Sequence, residues 1–277
     1  MRQKFQCGRY GYALAAQAPL VMGILNVTPD SFSDGGQYQS LEFALSRAEQ
    51  MIGDGVDIID IGGESSRPGA PALPLDEELR RVMPVLYALR DCGKAISIDT
   101  YKPEVMREAI AAGVDMINDI NGLRAPGAIA AVQDSDCALC IMHMQNVPAM
   151  MQDKPEYVDV VRQVSDFLRQ RVDAMTAAGI DRQRLCIDPG FGFGKTLEHN
   201  FALLKATKHI IAELDLPLLA GLSRKSMIGA VTGRPVEQRL AGSLAGALAA
   251  ALHGAHIVRV HDVAETVDAL KVWRAAH

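Results

Sequence analysis

What the chain lacks narrows its class first. No apolar run reaches the ~18 residues of a membrane-spanning helix, so no such span is expected. The five cysteines, Cys7, Cys92, Cys137, Cys140 and Cys186, are an odd and scattered set. They do not form a disulfide framework and fit reduced thiols in a cytoplasmic protein. Net charge is −5, the wrong sign for general nucleic-acid binding, which draws its affinity from cations set on phosphates. A locally basic site for a small anion stays open. No low-complexity linker interrupts the 277 residues, so one domain over residues 1–277 is expected. A secretory leader is not expected either, because Gln17 and Pro19 break the apolar part of the N-terminal stretch.

What is present is a regular alternation. Short apolar runs rich in β-branched residues occur at Val21–Val27, Asp57–Gly63, Ala95–Thr100 and Met116–Ile120, then at Ala138–Met144, Arg184–Gly190, Pro217–Ser223 and His256–Asp262. Their near-continuous apolarity is that of strands covered on both faces. Amphipathic stretches separate them, clearest at Leu41–Gly53, Asp76–Cys92, Pro103–Gly113, Tyr157–Gly179 and Glu237–Gly254. Pro103 suits a first helical turn. Gly55, Gly113, Gly179 and Gly254 stand where a helix end needs a left-handed residue before the next strand. Strand and helix alternating eight times imply an α/β fold, a (β/α)₈ TIM barrel, with residues Met1–Leu20 as a short hairpin over its N-terminal end. A doubly wound open sheet is the alternative. Cys137 and Cys140 form a C-x-x-C, but on a strand they face opposite ways, which reads as core and not as a redox or metal pair.

Polar residues collect at the C-terminal ends of the expected strands, where barrel chemistry sits. They are Asn26, Asp60, Glu64, Asp99, Asn118, His143, Asp188, Lys225, Arg259 and His261. His143 reads as a core residue, and Asp60 is as readily a satisfied buried carboxylate as a functional one. Buried amides and carboxylates are costly unless paired, so the set as a whole implies a ligand rich in donors and acceptors. Two loops on this rim are long, Thr28–Ser40 and Glu64–Leu75, against the usual 2–6 residues. They are expected to act as substrate-assembly loops. The segment "DPGFGFGKT" is not a nucleotide phosphate loop, since Pro189 stands where that pattern needs glycine.

The segments "NVTPDSFSDGG", "GGESSRPGA", "SIDTYKPEV", "INDI", "DPGFGFGK", "GLSRKSMIG" and "RVHD", in this order and spacing, resemble the dihydropteroate synthase family of pterin-binding enzymes over nearly the whole chain. The resemblance implies a transferase of folate biosynthesis. It would join 6-hydroxymethyl-7,8-dihydropterin diphosphate to p-aminobenzoate, giving 7,8-dihydropteroate and pyrophosphate. It implies pterin contacts at Asp99, Asn118, Met142, Asp188, Phe193, Lys225 and Arg259. The diphosphate would meet Asn26, Ser66, Arg259 and His261, with Asn26 ligating a Mg²⁺ cofactor. p-Aminobenzoate would meet Phe32, Ser66, Arg67, Pro68 and Ser226. Asp30, Phe32, Arg67 and Lys225 would serve catalysis, in a loop-closed site with a dissociative displacement. Sulfonamides would compete as inhibitors, and the protein would be a cytoplasmic homodimer. The chain has Ser66 where many members have threonine, a change that bears on inhibitor fit.

Two other readings share parts of this pattern. A methyltetrahydrofolate–corrinoid methyltransferase would share the barrel and the pterin residues but has no need of "TPDSFSDGG" or "SSRPGA". A non-catalytic pterin-binding relative has no use for the diphosphate end at Asn26, Arg67, Lys225, Arg259 and His261.

Overall fold

A computed structural model describes residues 3–15, 18–27, 36–65, 72–145 and 155–276, with 36–39 described by their backbone alone. The first two strands, β1 (Gln3–Cys7) and β2 (Tyr10–Leu14), form an antiparallel hairpin. Eight parallel strands follow: β3 (Leu20–Asn26), β4 (Ile58–Gly62), β5 (Ala95–Asp99), β6 (Met116–Asp119), β7 (Ala138–Met142), β8 (Leu185–Asp188), β9 (Leu219–Ala220) and β10 (Ile257–Val260). Their spatial order is β8-β7-β6-β5-β4-β3-β10-β9. A parallel bridge from Ile187 to Leu218 joins the two ends. That bridge closes the sheet into a (β/α)₈ barrel and excludes the open doubly wound alternative.

Helices α1 (Gly36–Asp54), α2 (Leu75–Leu89), α3 (Pro103–Ala111), α4 (Ala128–Val132), α5 (Val160–Ala177) and α6 (Leu197–Leu214) follow the first six barrel strands. Two helices, α7 (Ser226–Thr232) and α8 (Leu240–Leu252), lie between β9 and β10, and α9 (Val263–Ala275) closes the chain. Pro103 opens α3 as expected, its missing N–H being one that a first turn leaves unpaired anyway. Helix α1 corrects one expectation. It starts at Gly36, so the last five residues of the stretch read as loop, Thr28–Ser40, are helical.

The barrel separates two apolar layers. Val21, Ile59, Ile61, Ile96, Ile98, Ile117, Leu139 and Ile187 face outward under the helices. Met22, Ile58, Ala95, Met116, Ala138, Cys140, Cys186, Leu219 and Ile257 face inward, where Phe5, Cys7 and Leu14 of the hairpin plug the N-terminal end. Cys137 falls in the outer layer and Cys140 in the inner one, so the C-x-x-C is split across the strand as expected. Arg9 locks the hairpin down: its Nε donates to Asp115 Oδ1 at 3.0 Å and its Nη2 to Asp115 Oδ2 at 3.1 Å. Apolar side chains seal this floor, and among the described residues the polar interior opens at the other end.

Candidate active site

One line of register builds the site. Asn26, Gly62, Asp99 and Asn118 are successive Cα partners across β3, β4, β5 and β6. Partners in a parallel ladder face the same side, so all four point into the barrel. The line continues through Cys140 and Cys186 on β7 and β8. One pleat further along stand Met142 and Asp188, themselves partners. Arg259 on β10 is paired with inward-facing Met22. Period-two alternation thus takes polar residues scattered from Asn26 to Arg259 and points them at one axis, above an apolar floor.

Arg259 is the hub. Its Nε donates to Asp60 Oδ2 at 2.6 Å and its Nη2 to Asp99 Oδ2 at 2.7 Å. Asn118 Nδ2 donates to the same Asp60 oxygen at 3.1 Å. Asp60 is fully buried, and its Oδ1 has no hydrogen-bond partner among the described residues. The open question over Asp60 therefore resolves to a half-satisfied carboxylate that orients two site residues. Burial works against the Arg259 charge, but the two carboxylates more than offset it and its pKa is raised. Burial pushes Asp99 up to about 7, against the pull of Arg259, with Asp60 and Glu78 adding to the rise.

Across the barrel, Asp188 is 5 % exposed and accepts the Gly190 N–H through Oδ1 at 2.7 Å. Burial raises its pKa, and Lys225 and the Gly190 N–H oppose that rise. Lys225 donates to the Phe191 carbonyl, and its Nζ lies 4.6 Å from the centre of the Phe193 ring. Burial lowers it to about 8 although Asp188 favours the charge. Phe193 packs with Met142, Ile120 and Met144 into a small apolar wall. Asp99, Asn118, Met142, Asp188, Phe193, Lys225 and Arg259 are thus brought to one barrel mouth.

The "DPGFGFGK" segment holds this side in place by a device that sequence reasoning missed. Lys195, rejected as a phosphate-loop lysine, points inward instead. Its Nζ donates to the carbonyls of Gly190 and Phe193, each at 2.9 Å, and lies 3.0 Å from His143 Nδ1. Burial lowers Lys195 to about 7 and His143 to about 2, the nearby Lys195 charge adding to the latter. His143 is core, as expected, packed edge-on against Phe167. Gly190 has φ +72°, and a β-carbon there would stand 1.9 Å from the His143 carbonyl oxygen. No other residue allows that approach.

The remaining expected residues take up the rim. A β-carbon on Gly62 would stand 3.4 Å from Asn26 Oδ1 and 4.0 Å from Asp99 Oδ2, so the Asn26 amide and the Asp99 carboxylate converge over a glycine. His261 Nδ1 is 3.0 Å from Ser223 Oγ, and burial beside Arg259 lowers His261 to about 4, leaving it neutral. Ser226 is exposed as the first residue of α7, after Lys225 at the N-cap. Asp30, Phe32, Ser66, Arg67 and Pro68 lie outside the described residues. Among the described residues no group of three or more His, Cys, Asp and Glu side chains could hold a metal ion. That donor set does not suit a cation caged by protein. A rim amide oxygen near one carboxylate does suit a Mg²⁺ held chiefly by a substrate's phosphates and water.

A family model described as "Pterin binding enzyme" matches residues 22–261. The dihydropteroate synthase of Haemophilus influenzae is 51 % identical over 265 residues, covering 95 % of either chain. A Burkholderia cenocepacia dihydropteroate synthase, complexed with 7,8-dihydropteroate, superposes with TM-score 0.90 at 52 % identity, covering 99 % of this chain and 96 % of that one. A Yersinia pestis dihydropteroate synthase with a sulfonamide drug complex gives TM-score 0.91 at 45 % identity, covering 99 % and 98 %. Neither the methyltransferase nor the non-catalytic reading is needed to account for a likeness this long and this close. The chain belongs to the pterin-binding enzyme family and, within it, to the dihydropteroate synthases, which are transferases.

Proposed function

We propose that the protein joins 6-hydroxymethyl-7,8-dihydropterin diphosphate to p-aminobenzoate, releasing pyrophosphate. The observation that carries this reading is the pairing of a buried acceptor, Asp188, with a donor–acceptor amide, Asn118, and the Arg259–Asp99 ion pair around one barrel mouth. Asp188 accepts the two parallel N–H donors of the pterin's guanidine-like edge, an arrangement that fixes orientation as well as energy. Asn118 reads the adjacent ring edge, Lys225 donates on the carbonyl side, and Asp99 accepts the ring N–H on the dihydro side. Arg259 stacks on the ring, and Met142 and Phe193 pack at its edge.

The ring's electron-rich system pushes the diphosphate off the exocyclic carbon in a dissociative displacement, and the amine attacks that carbon directly. Arg259, His261, Ser66 and Asn26 surround the departing diphosphate, with His261 contributing an N–H and not a charge. Asn26 would hold a Mg²⁺, which would supply charge neutralisation for the leaving group. Asp30, Phe32, Arg67 and Pro68 exclude water and wall the arylamine ring. Ser226 and the backbone N–H groups beside it take the carboxylate. Sulfonamides, having an aromatic amine and an acidic group, compete there.

Incubating the protein with both substrates, with and without EDTA, tests the reaction and the metal together. 7,8-Dihydropteroate forms with Mg²⁺ and not in EDTA, and Asn26→Ala raises the Mg²⁺ requirement. Full turnover in excess chelator removes the metal from the scheme. We also propose a cytoplasmic homodimer of single-domain chains. Leu240 and Leu252 at the two ends of α8 and Val272 on α9 are exposed, Leu252 at 63 % and Val272 at 71 %. Sedimentation of the parent and of Leu252→Glu reads out the association.

A further inference from the structure

Three charged side chains from three elements meet at the shoulder of the barrel mouth, beside the Arg259 cluster and not in it. Glu64 follows β4, Glu78 lies in the first turn of α2, and Lys102 is the N-cap of α3 just past β5. Lys102 Nζ donates to Glu64 Oε2 and to Glu78 Oε2. The Tyr101 hydroxyl donates to Glu64 Oε1 at 2.8 Å, and Lys102 Nζ lies 4.7 Å from the centre of the Tyr101 ring.

Stability alone does not account for this triad. Glu78 is 1 % exposed, and a buried ion pair replaced by apolar groups of similar volume is often neutral or better for the fold. What the triad does is local. Strand β4 ends at Gly62, and the chain leaves the barrel through Gly63 and Glu64. A β-carbon at Gly63 would stand 2.7 Å from Val82 Cγ1, so α2 presses directly on this exit. Arg81 Nη1 on α2 holds the Gly63 carbonyl at 3.0 Å, and Lys102 holds the next side chain, Glu64. Glu64, Ser65, Glu78, Asp99, Tyr101 and Ile120 line one pocket. The exit is therefore clamped so that Ser65 shares a wall with Asp99.

We propose that Lys102 is a positioning residue: through Glu64 and Glu78 it sets the direction in which the chain leaves β4, and so aligns Ser65, from which the chain runs on to the residues proposed to meet the arylamine substrate. This rests on the synthase reaction proposed above, in which Ser66, Arg67 and Pro68, next in sequence, serve p-aminobenzoate.

Two variants separate positioning from bulk stability. Glu64→Gln leaves the Lys102–Glu78 pair in place and removes the charge by which Lys102 holds the exit. K102M/E78Q removes the Lys102 and Glu78 charges together. Steady-state rates are measured against each substrate, with urea denaturation as the control on folding. Both variants are expected to unfold cooperatively like the parent, with KM for p-aminobenzoate up at least about tenfold and KM for the pterin diphosphate within about threefold. Should K102M/E78Q fail to fold, Glu64→Gln alone decides. An active parent whose folded variants keep both KM values, or raise both equally, overturns the inference and leaves the reaction standing. A parent that forms no 7,8-dihydropteroate overturns the reaction and the inference with it.

Discussion

Asp188 shows how much one side chain's ionisation can decide. In the proposed complex it is, as a carboxylate, a double acceptor facing a pterin edge that only donates. Asp188→Asn keeps the shape and turns one acceptor into a donor, which is expected to cost about 2–4 kcal/mol of pterin binding while the fold survives. Calorimetric titration with the pterin checks it, and binding within about threefold of the parent would take Asp188 out of the site. The pH profile belongs to the same scale. Asp99, raised to about 7, takes up a proton below that pH and loses its charge toward Arg259 and ligand. Lys225, lowered to about 8, loses its proton above that pH. The rate kcat/KM for the pterin diphosphate is therefore expected to rise through pH 7 and fall through pH 8, a narrow bell reporting the free enzyme. Lys225→Arg should abolish the alkaline limb at reduced rate. A profile flat from pH 6 to pH 9 contradicts both assignments.

At the scale of an element, the segment between β8 and α6 works as a rigid frame for two site residues, Asp188 at the end of β8 and Phe193 within the segment. Lys195 ties its carbonyls together at 2.9 Å. Lys195→Met leaves those carbonyls without their donor, and pterin affinity is expected to fall by about 1–3 kcal/mol. KM for p-aminobenzoate should move much less, because the proposed scheme gives that substrate to other loops; equal loss at both substrates would make Lys195 a stability residue only. His143, beneath the same segment, makes stability depend on pH. Its folded-state pKa of about 2 lies far below the ~6.5 of an unfolded histidine. The unfolded chain therefore binds the extra proton first, and stability present above pH 6.5 is lost as pH falls below it. Urea denaturation at pH 7.5 and at pH 5.5 measures the loss, and His143→Gln should shrink it.

For the whole molecule, floor and mouth of the barrel are separable. Phe5 is 1 % exposed and packs with Met22, Ile58, Met116 and Ile257 at the sealed end. Phe5→Ala should destabilise the fold by about 3–5 kcal/mol, the usual cost of a large core truncation. Yet kcat/KM near 25 °C should stay within about threefold, since the reacting groups sit at the other end. A large loss of rate without loss of stability would show that floor and mouth are coupled. The Arg9–Asp115 lock adds a charged clasp to that floor, and Asp115 also accepts the Ile96 N–H at 3.0 Å. The hairpin is thereby fastened to the barrel's N-terminal rim through β5.

The order of strands and helices was legible in the sequence because parallel strands, covered on both faces, must be apolar throughout, and helices between them must show one polar face. The left-handed glycines told where helices end: Gly55, Gly113, Gly179 and Gly254 all have φ between 85° and 94°. The motifs carried the family, and with it the residues to look for. Two things were not legible. The sequence could not say that Asp60, buried mid-strand, holds both Arg259 and Asn118, because those residues lie 199 and 58 positions away. Nor could it tell that Lys195 and Lys102 turn inward, since a lysine's long stem is compatible with either solvent or core. Composition and period along the chain determined the elements of this protein, and its motifs carried the family. Closure of the sheet decided which charges meet, because a contact between distant residues depends on register around the barrel, which no local pattern records.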